Sequence, residues 1–356
     1  MDYTLRAMNS TTNKTIYQII GKLKLVSLLL TFINVYAKRM DINSKAFQEA
    51  IARLNQKKRE LTVANPTYWE ELFPLFSITD HPFQSNSNHF QVEAEAIDFC
   101  IEQLKHDGYF ITPPIIPEEE LQQLRACITK VATQGHRPNL AFIYDEVFAV
   151  FGRLKQVLTP ILGENYQLIP DEIGGFYIQT EDAKSGTGPH RDNIHTHSSL
   201  TYQDGLPTLI NVWIPLTDAT TLNSCMYVIP KHADPFLEEN TPLNTYGQDY
   251  SWQEVSKLLQ LARAVPAPAG SILGWDTNLM HWGGTSSIFA KQPRLSLACY
   301  FQSAQVPPYH KFTMNLSAPI PFDYRLYLIE KLIHDRKLEN NSFKKYQSLW
   351  HNHHQC

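Results

Sequence analysis

LINVWIPLTD (residues 209–218), CMYVIP (225–230), ARAVPAPAGSILGW (262–275) and RLSLACYFQ (294–302) decide the reading of this chain. With GGFYIQ (174–179) ahead of them, they form a series of short apolar runs separated by turn residues. Several short strands at that spacing point to a sandwich or barrel. The texture changes near residue 166: what precedes it has helical period, and residues 321–356 return to it. The expected fold class is α+β, a mainly β core flanked by N-terminal and C-terminal helices. The expected domains are a helical extension and covering loop at 1–92, a core domain at 93–320 and a helical tail at 321–356.

Outward from the core, residues 41–62 read as a helix. Asn43 or Ser44 can cap it, and Phe47, Ile51 and Leu54 share one face. Residues 63–92 show no clear period and read as a linker or covering loop. A second helix is expected near 93–106, stopped by Asp107-Gly108, and residues 108–117 read as a strand running into a turn. Pro117 followed by Glu118, Glu119 and Glu120 starts a helix, because proline suits its first position and acids suit its positive end. That helix should reach about Thr133, and another is expected at 144–162, closed by Gly163.

The chain has 356 residues, enough for roughly two domains or one large domain with extensions. Hydrophobic residues make up 43% and charged residues 19%, which excludes a disordered or collagen-like chain. The net charge of -4 gives no general electrostatic reason to bind nucleic acid or an anionic membrane. Five cysteines, at 100, 127, 225, 299 and 356, are odd in number, widely spaced and without CxxC. A disulfide framework and a cysteine zinc site are therefore not expected. The cysteines read as small core residues, and the expected setting is the reducing cytoplasm.

Residues 1–39 hold Arg6, Lys14, Lys22, Lys24, Lys38 and Arg39 against Asp2, so six minus one gives +5 and the rest of the chain carries -9. Leu25 to Ala37 is an uncharged run of 13 residues, short of the roughly 20 that span a bilayer. A secretory signal, or membrane contact by residues 17–39, is the lesser reading. The preferred one is a helix packed on the core, or translation beginning at Met40.

The chemistry sits in GTGPHRDN (186–193), where His190 and Asp192 lie two apart. In a strand, residues i and i+2 point to one face, so both can reach one metal ion. His281, in DTNLMHWGG, is the best third ligand; it follows the apolar run SILGW and precedes Gly283-Gly284. Two histidines and one carboxylate on one face of an iron ion leave positions open for O2, the arrangement of non-haem Fe(II) oxygenases. Arg294 and Ser296 again lie two apart, thirteen and fifteen residues past His281. A guanidinium grips a carboxylate bidentately and a hydroxyl can share the load, which suits the far carboxylate of 2-oxoglutarate. HxD alone is a weak signal; the order HxD, strand pair, His, RxS is what carries it.

With these motifs in place, the sequence resembles the phytanoyl-CoA dioxygenase-like family of Fe(II)/2-oxoglutarate-dependent oxygenases, from about residue 97 to 305. IEQLKHDGYFITPPIIPEEELQQLR (101–125) is similar to the family's N-terminal pattern, WIPLTDATTLNSCMYVIPKHAD (213–234) to its central hairpin, and AGSILGWDTNLMHWGG (269–284) to the strand that delivers its distal histidine. The stretch GTGPHRDN…YQDGLP is also similar to the ectoine hydroxylase branch, with no inference about substrate. The resemblance implies a double-stranded β-helix (jelly roll, cupin-like). It implies Fe(II) on His190, Asp192 and His281, 2-oxoglutarate on Arg294, and O2 as co-reactant. The implied reaction is hydroxylation of a small-molecule, acyl or natural-product substrate with release of succinate and CO2. Related halogenases lack the carboxylate that Asp192 supplies here. Where a hydroxyl residue is common shortly after the distal histidine, this chain has Gly283; Thr285 or Ser296 can substitute. Gln179 and Thr180, by analogy, can touch 2-oxoglutarate, or else be satisfied barrel residues.

Other residues compete for these roles. His195 and His197 share a face but lack an adjacent carboxylate. His232 reads as a solvent-exposed loop residue. Asn211 can face the pocket, whereas Trp213, Tyr177 and Phe301 read as packing. The tail histidines His351, His353 and His354 read as an exposed end, at most an opportunistic metal binder. Competing functions are a cupin-type metal enzyme acting without 2-oxoglutarate, a non-catalytic jelly-roll binding protein, and a partner-binding module in residues 1–90.

Overall fold

A computed structural model describes residues 21–31, 45–80, 91–181, 188–192, 204–235, 237, 252–308, 313–316 and 320–334. The chain divides into two compact units, Met1–Ile78 and Thr79–Cys356. The first contains helices α1 (residues 21–31), α2 (Lys45–Val63) and α3 (Pro66–Leu72). Helix α3 lies where no periodicity was evident. Its start is nonetheless chemical: the Asn65 side chain accepts the Thr67 N–H at 3.2 Å, and Pro66 takes the first turn, where its missing N–H costs nothing. Trp69 is buried and donates its indole N–H to the Val63 carbonyl at 2.8 Å. Among the described residues no helix is long and apolar enough to cross a membrane.

The second unit begins with α4 (Ala94–Asp107), closed by Gly108 at φ 81°, a left-handed turn that favours glycine. Strand β1 (Tyr109–Ile111) and helix α5 (Glu118–Thr133) follow; three glutamates occupy the first turn of α5, beside the positive end of its dipole. A short 3-10 helix, η1 (Pro138–Ile143), leads to α6 (Asp145–Gly152) and α7 (Lys155–Leu162). The single helix expected at 144–162 is therefore two. Gly152, a poor helix former, closes the first, and the break lets each half bury its own apolar face. Phe148 and Phe151 of α6 both pack on Phe142 of η1.

The remaining strands are β2 (Gln167–Ile178), β3 (Leu209–Pro215), β4 (Met226–Ile229), β5 (Arg263–Val265), β6 (Leu273–Asp276), β7 (Met280–Gly283) and β8 (Arg294–Gln302). A 3-10 turn η2 (Lys231–Ala233) follows β4, helix α8 (Trp252–Leu261) precedes β5, and α9 (Phe322–His334) follows β8. They form a five-stranded antiparallel sheet in the order β1-β6-β3-β8-β2 and a three-stranded one in the order β5-β4-β7. One apolar cluster draws on both sheets: Trp213, Leu273, Trp275 and Ala298 from the larger, Met226, Val228 and Val265 from the smaller. All residues of β3 are buried, as a strand covered on both faces must be. The α+β expectation holds for this unit.

Two close approaches lock the larger sheet. A Cβ on Gly274 would lie 2.3 Å from the Phe110 ring, and one on Gly175 would lie 2.6 Å from the Pro138 carbonyl oxygen. Only glycine lets the ring of β1 and the backbone of η1 sit there. Cys100, Cys127, Cys225 and Cys299 are buried free thiols whose pKa values burial pushes up, so they are core residues and not reactive groups; Cys356 lies outside the described residues. Arg325 of α9 is wholly buried. Its guanidinium donates to the carbonyls of Ile320 (2.6 Å), Ile143 (2.7 Å) and Thr79 (2.8 Å) and pairs with Asp145. It thereby ties α9 to η1 and to the start of the unit. Replacing Arg325 with Ala should cost about 3–5 kcal/mol, because four acceptors, one of them charged, lose a shared donor; urea unfolding of the variant against wild type measures it.

Candidate functional site

His281 lies within β7, in the middle of the smaller sheet's edge strand, and is 2% exposed. It does not sit at the end of the SILGW strand, as the sequence suggested: β6 ends at Asp276, and a tight turn, in which Asp276 Oδ1 accepts the Asn278 N–H at 2.9 Å, reverses the chain first. His190 is not in a regular strand either. It makes one isolated antiparallel bridge to His281, each N–H donating to the other's carbonyl at 2.9 Å. That bridge sets the two imidazoles against each other, with ring centroids 4.3 Å apart.

Each ring is oriented by its own backbone. His190 Nδ1 is 2.8 Å from the Gly188 carbonyl, and His281 Nδ1 is 2.9 Å from the Leu279 carbonyl. A carbonyl accepts only, so Nδ1 carries the proton and Nε2 is left as the free donor atom in the neutral ring. Both Nε2 atoms face the same carboxylate oxygen: His190 Nε2 is 3.3 Å and His281 Nε2 3.5 Å from Asp192 Oδ1. No two of the three facing atoms are more than 4.8 Å apart.

The other oxygen of Asp192 is held by the larger sheet. Trp275 donates its indole N–H to Oδ2 at 2.9 Å, and Asn211 donates its amide N–H to Oδ2 at 3.2 Å. The Tyr300 hydroxyl also hydrogen-bonds the carboxylate. The register explains the convergence. Asn211 of β3 is paired with Trp275 of β6 on one side and with Tyr300 of β8 on the other. Three neighbours in one row across a sheet present their side chains to one face. Asn211 was picked out from the sequence as facing the site. Trp275 and Tyr300 were not; the alternation of β6 and β8 placed them on the right face, but only the register brings them into one row.

The electrostatics follow. Burial opposes ionisation of Asp192, yet His281, His190 and Tyr300 together outweigh it and hold the carboxyl well below the usual range. Burial pushes His281 down to about 4, against the pull of Asp192, so it is neutral at ordinary pH. Burial lowers His190 too, but its contact with Asp192 prevails and raises it. The cluster is thus one carboxylate with two inward-facing imidazole nitrogens, a donor set suited to a borderline divalent metal such as iron or zinc.

Between the two ligands of HxD, Arg191 points the other way. It pairs with Asp234 at 2.7 Å, donates to the Asn278 carbonyl, and is almost buried. Asp234 follows η2 and Asn278 precedes β7. This ion pair therefore pins the HxD turn to both chain segments that flank the site.

Arg294 and Ser296 lie on β8 in the same face-row series as Tyr300, which is six residues along. Both are buried. The Arg294 guanidinium lies over the rings of Trp213 (5.4 Å) and Phe176 (5.7 Å), and no carboxylate pairs with it among the described residues. Its Nε and the Ser296 Oγ have no hydrogen-bond partner among the described residues. Burial lowers the Arg294 pKa to about 10, so it remains a cation at neutral pH. Trp213 is paired with Ala298, two residues from Tyr300 along β8, so the residue under the guanidinium neighbours the row whose side chains hold Asp192.

Gln179 and Thr180 lie just past the end of β2, which stops at Ile178; Gln179 is exposed and Thr180 half-buried. Thr285 is exposed. Phe301 is buried against Phe151 and Tyr166, as a packing residue. His195, His197, His351, His353 and His354 lie outside the described residues. His232 is exposed, as read from the sequence, and its Nδ1 also lies 2.9 Å from Asp107 Oδ1.

Comparison with known proteins adds three findings. Residues 154–289 match the family model described as phytanoyl-CoA dioxygenase (PhyH). The match includes His190, Asp192 and His281 and ends before Arg294. No curated protein matches the sequence. Among solved structures, the chain is similar to the epimerase SnoN in complex with Fe3+, alpha ketoglutarate and nogalamycin RO, at 15% identity and a TM-score of 0.46, covering 65% of this chain and 98% of that one. It is similar to AviO1 from Streptomyces viridochromogenes Tue57 at 15% identity and a TM-score of 0.40, covering 61% and 99%. It is similar to EvdO2 from Micromonospora carbonacea var. aurantiaca, complexed with 2-oxoglutarate, at 17% identity and a TM-score of 0.40, covering 66% and 97%. Over residues 154–289, the chain is similar to the phytanoyl-CoA dioxygenase (PhyH) family.

Proposed function

We propose that this protein is a non-haem Fe(II)- and 2-oxoglutarate-dependent dioxygenase on a double-stranded β-helix, hydroxylating a small-molecule, acyl or natural-product substrate with release of succinate and CO2. The observation that carries the reading is Arg294. A buried cation with no carboxylate partner among the described residues is costly unless an anionic ligand completes it. That cation lies near a cluster of two imidazole nitrogens and one carboxylate oxygen. A metal chelator with an anionic far end satisfies both, and 2-oxoglutarate is such a molecule.

In this reading His190 and His281 bind the metal through Nε2, and Asp192 through Oδ1. The Gly188 and Leu279 carbonyls keep the imidazoles in the ligating tautomer. Trp275 and Asn211 hold the outer carboxylate oxygen and aim the inner one, and the Tyr300 hydroxyl adds a further hydrogen bond to the carboxylate. Arg294 grips the far carboxylate of 2-oxoglutarate, and the unpartnered Ser296 hydroxyl shares it. Gln179 and Thr180 flank this anchor, since Ile178 is paired with Arg294; exposed Gln179 is the lesser contact. Trp213 and Phe176 keep water from the guanidinium. Bound here, Fe(II) and 2-oxoglutarate supply the O2-activating, oxidising chemistry. Asp192 occupies the ligand position that halogenases leave to chloride, which favours hydroxylation. Three protein ligands leave room for cosubstrate and O2, whereas a closed four-ligand site would not.

Anaerobic addition of Fe(II) and then 2-oxoglutarate should give the visible charge-transfer band of a chelated keto acid. His281→Ala should abolish it. Arg294→Ala should keep it but need roughly 10- to 100-fold more 2-oxoglutarate, the loss expected for a charge-assisted contact. Metal binding without any band in wild type would replace this reading with a cosubstrate-free metal enzyme. Tyr300→Phe, which removes only an O–H from beside Asp192, should weaken Fe(II) about tenfold or more with unchanged far-UV circular dichroism, as loss of an outer support does; a competition titration against a chelator reads it.

A further inference from the structure

A second metal-ligating cluster lies outside the site described above. Asp107 ends α4, and the left-handed Gly108 turns the chain into β1. The turn packs on η2: a Cβ on Gly108 would lie 3.1 Å from Lys231 Cβ and 3.1 Å from Leu279 Cδ1. This close approach sets three side chains against one another. His106 Nδ1 is 2.8 Å from Asp107 Oδ1, and His232 Nδ1 is 2.9 Å from the same oxygen. The two rings lie 4.4 Å apart at 31° to each other. No two of the three facing atoms are more than 4.8 Å apart. The remaining oxygen, Asp107 Oδ2, is 3.5 Å from Arg263 Nη1 of β5, which holds the carboxylate from behind and leaves Oδ1 turned toward the rings.

Two imidazole nitrogens and a carboxylate oxygen converging at these distances match neighbouring ligands on one ion. Ligands bound at about 2.0–2.2 Å from a zinc-class ion sit roughly 3–3.5 Å from each other. The nitrogen-rich set selects zinc, nickel or copper over magnesium and calcium, which need oxygen ligands. The cluster is partly exposed, so an ion can enter and water can complete its shell.

We propose that His106, Asp107 and His232 form a second divalent-metal site of the zinc class, sharing no ligand with His190, Asp192 and His281. It joins the C-terminal end of α4 to η2. Its role is structural: η2 leads within two residues to Asp234, whose ion pair with Arg191 anchors the HxD turn. An ion holding η2 on α4 braces that anchor from outside, and stabilises the folded chain by binding it in preference to the unfolded one. The proposal does not rest on the oxygenase reading.

The test uses the full chain, freed of metal and equilibrated with zinc, with bound metal counted after desalting. The histidine-rich tail is common to all variants and cancels in differences. Relative to wild type, His106→Ala/His232→Ala should lose one zinc equivalent, as should His190→Ala/His281→Ala, and the fourfold variant should lose two. Asp107→Asn retains hydrogen-bonding capacity toward the imidazoles but removes the anionic ligand; it should weaken the second zinc about tenfold or more and abolish the rise in melting temperature that zinc produces in His190→Ala/His281→Ala. Unchanged zinc stoichiometry in His106→Ala/His232→Ala, or an unaltered zinc response in Asp107→Asn, would overturn the proposal and leave a hydrogen-bonded His-Asp-His cluster.

Discussion

The division of labour between the two oxygens of Asp192 is the constraint on which the site depends. One oxygen is held by the large sheet through Trp275 and Asn211; the other faces two imidazoles that the His190–His281 backbone bridge has placed side by side. Neither half suffices alone. Without the donors on Oδ2 the carboxylate could rotate, and without the bridge the imidazoles would not converge. The two sheets must therefore pack in one relation, because Asp192 is fastened to the larger and His281 belongs to the smaller. The mixed apolar cluster between them supplies that packing, and the hydrophobic burial is what holds the polar geometry in place.

The same core carries an electrostatic cost. Arg294 is a full cation under two aromatic rings with no ionic partner among the described residues. Ring faces recover part of its lost hydration, and the rest is met by other folding energy. Arg325 shows the contrasting case: equally buried, it is saturated by three carbonyls and Asp145 and serves only to join elements. The chain thus uses buried arginine in two ways, one closed on itself and one left open. That contrast, and not burial alone, is what the proposed role of Arg294 rests on.

Much of this was legible in the chain. The strand-rich core, the helices starting near 45, 94 and 118, and the pairs His190/Asp192 and Arg294/Ser296 follow from period and spacing. What escaped was short or non-local. Helix α3 is too brief for a period to show, although Asn65-Pro66 marked its start. The break between α6 and α7 hangs on Gly152 in an apolar stretch that reads as continuous. His232 looked like a bare loop residue, because its partners His106 and Asp107 lie 125 or more positions earlier in the chain.

The sequence by itself determined the residue types and their local spacing: two apart on a strand face, apolar runs between turns, acids at a helix start. Those are properties of a few consecutive residues, dictated by backbone geometry and side-chain chemistry. Only the tertiary structure decided which rows line up across β8, β3 and β6, which imidazole nitrogens face Asp192, and that Arg294 is buried with no counter-ion among the described residues. Register and burial depend on pairings between segments tens of residues apart, and no local pattern encodes which pairing buries the most apolar surface.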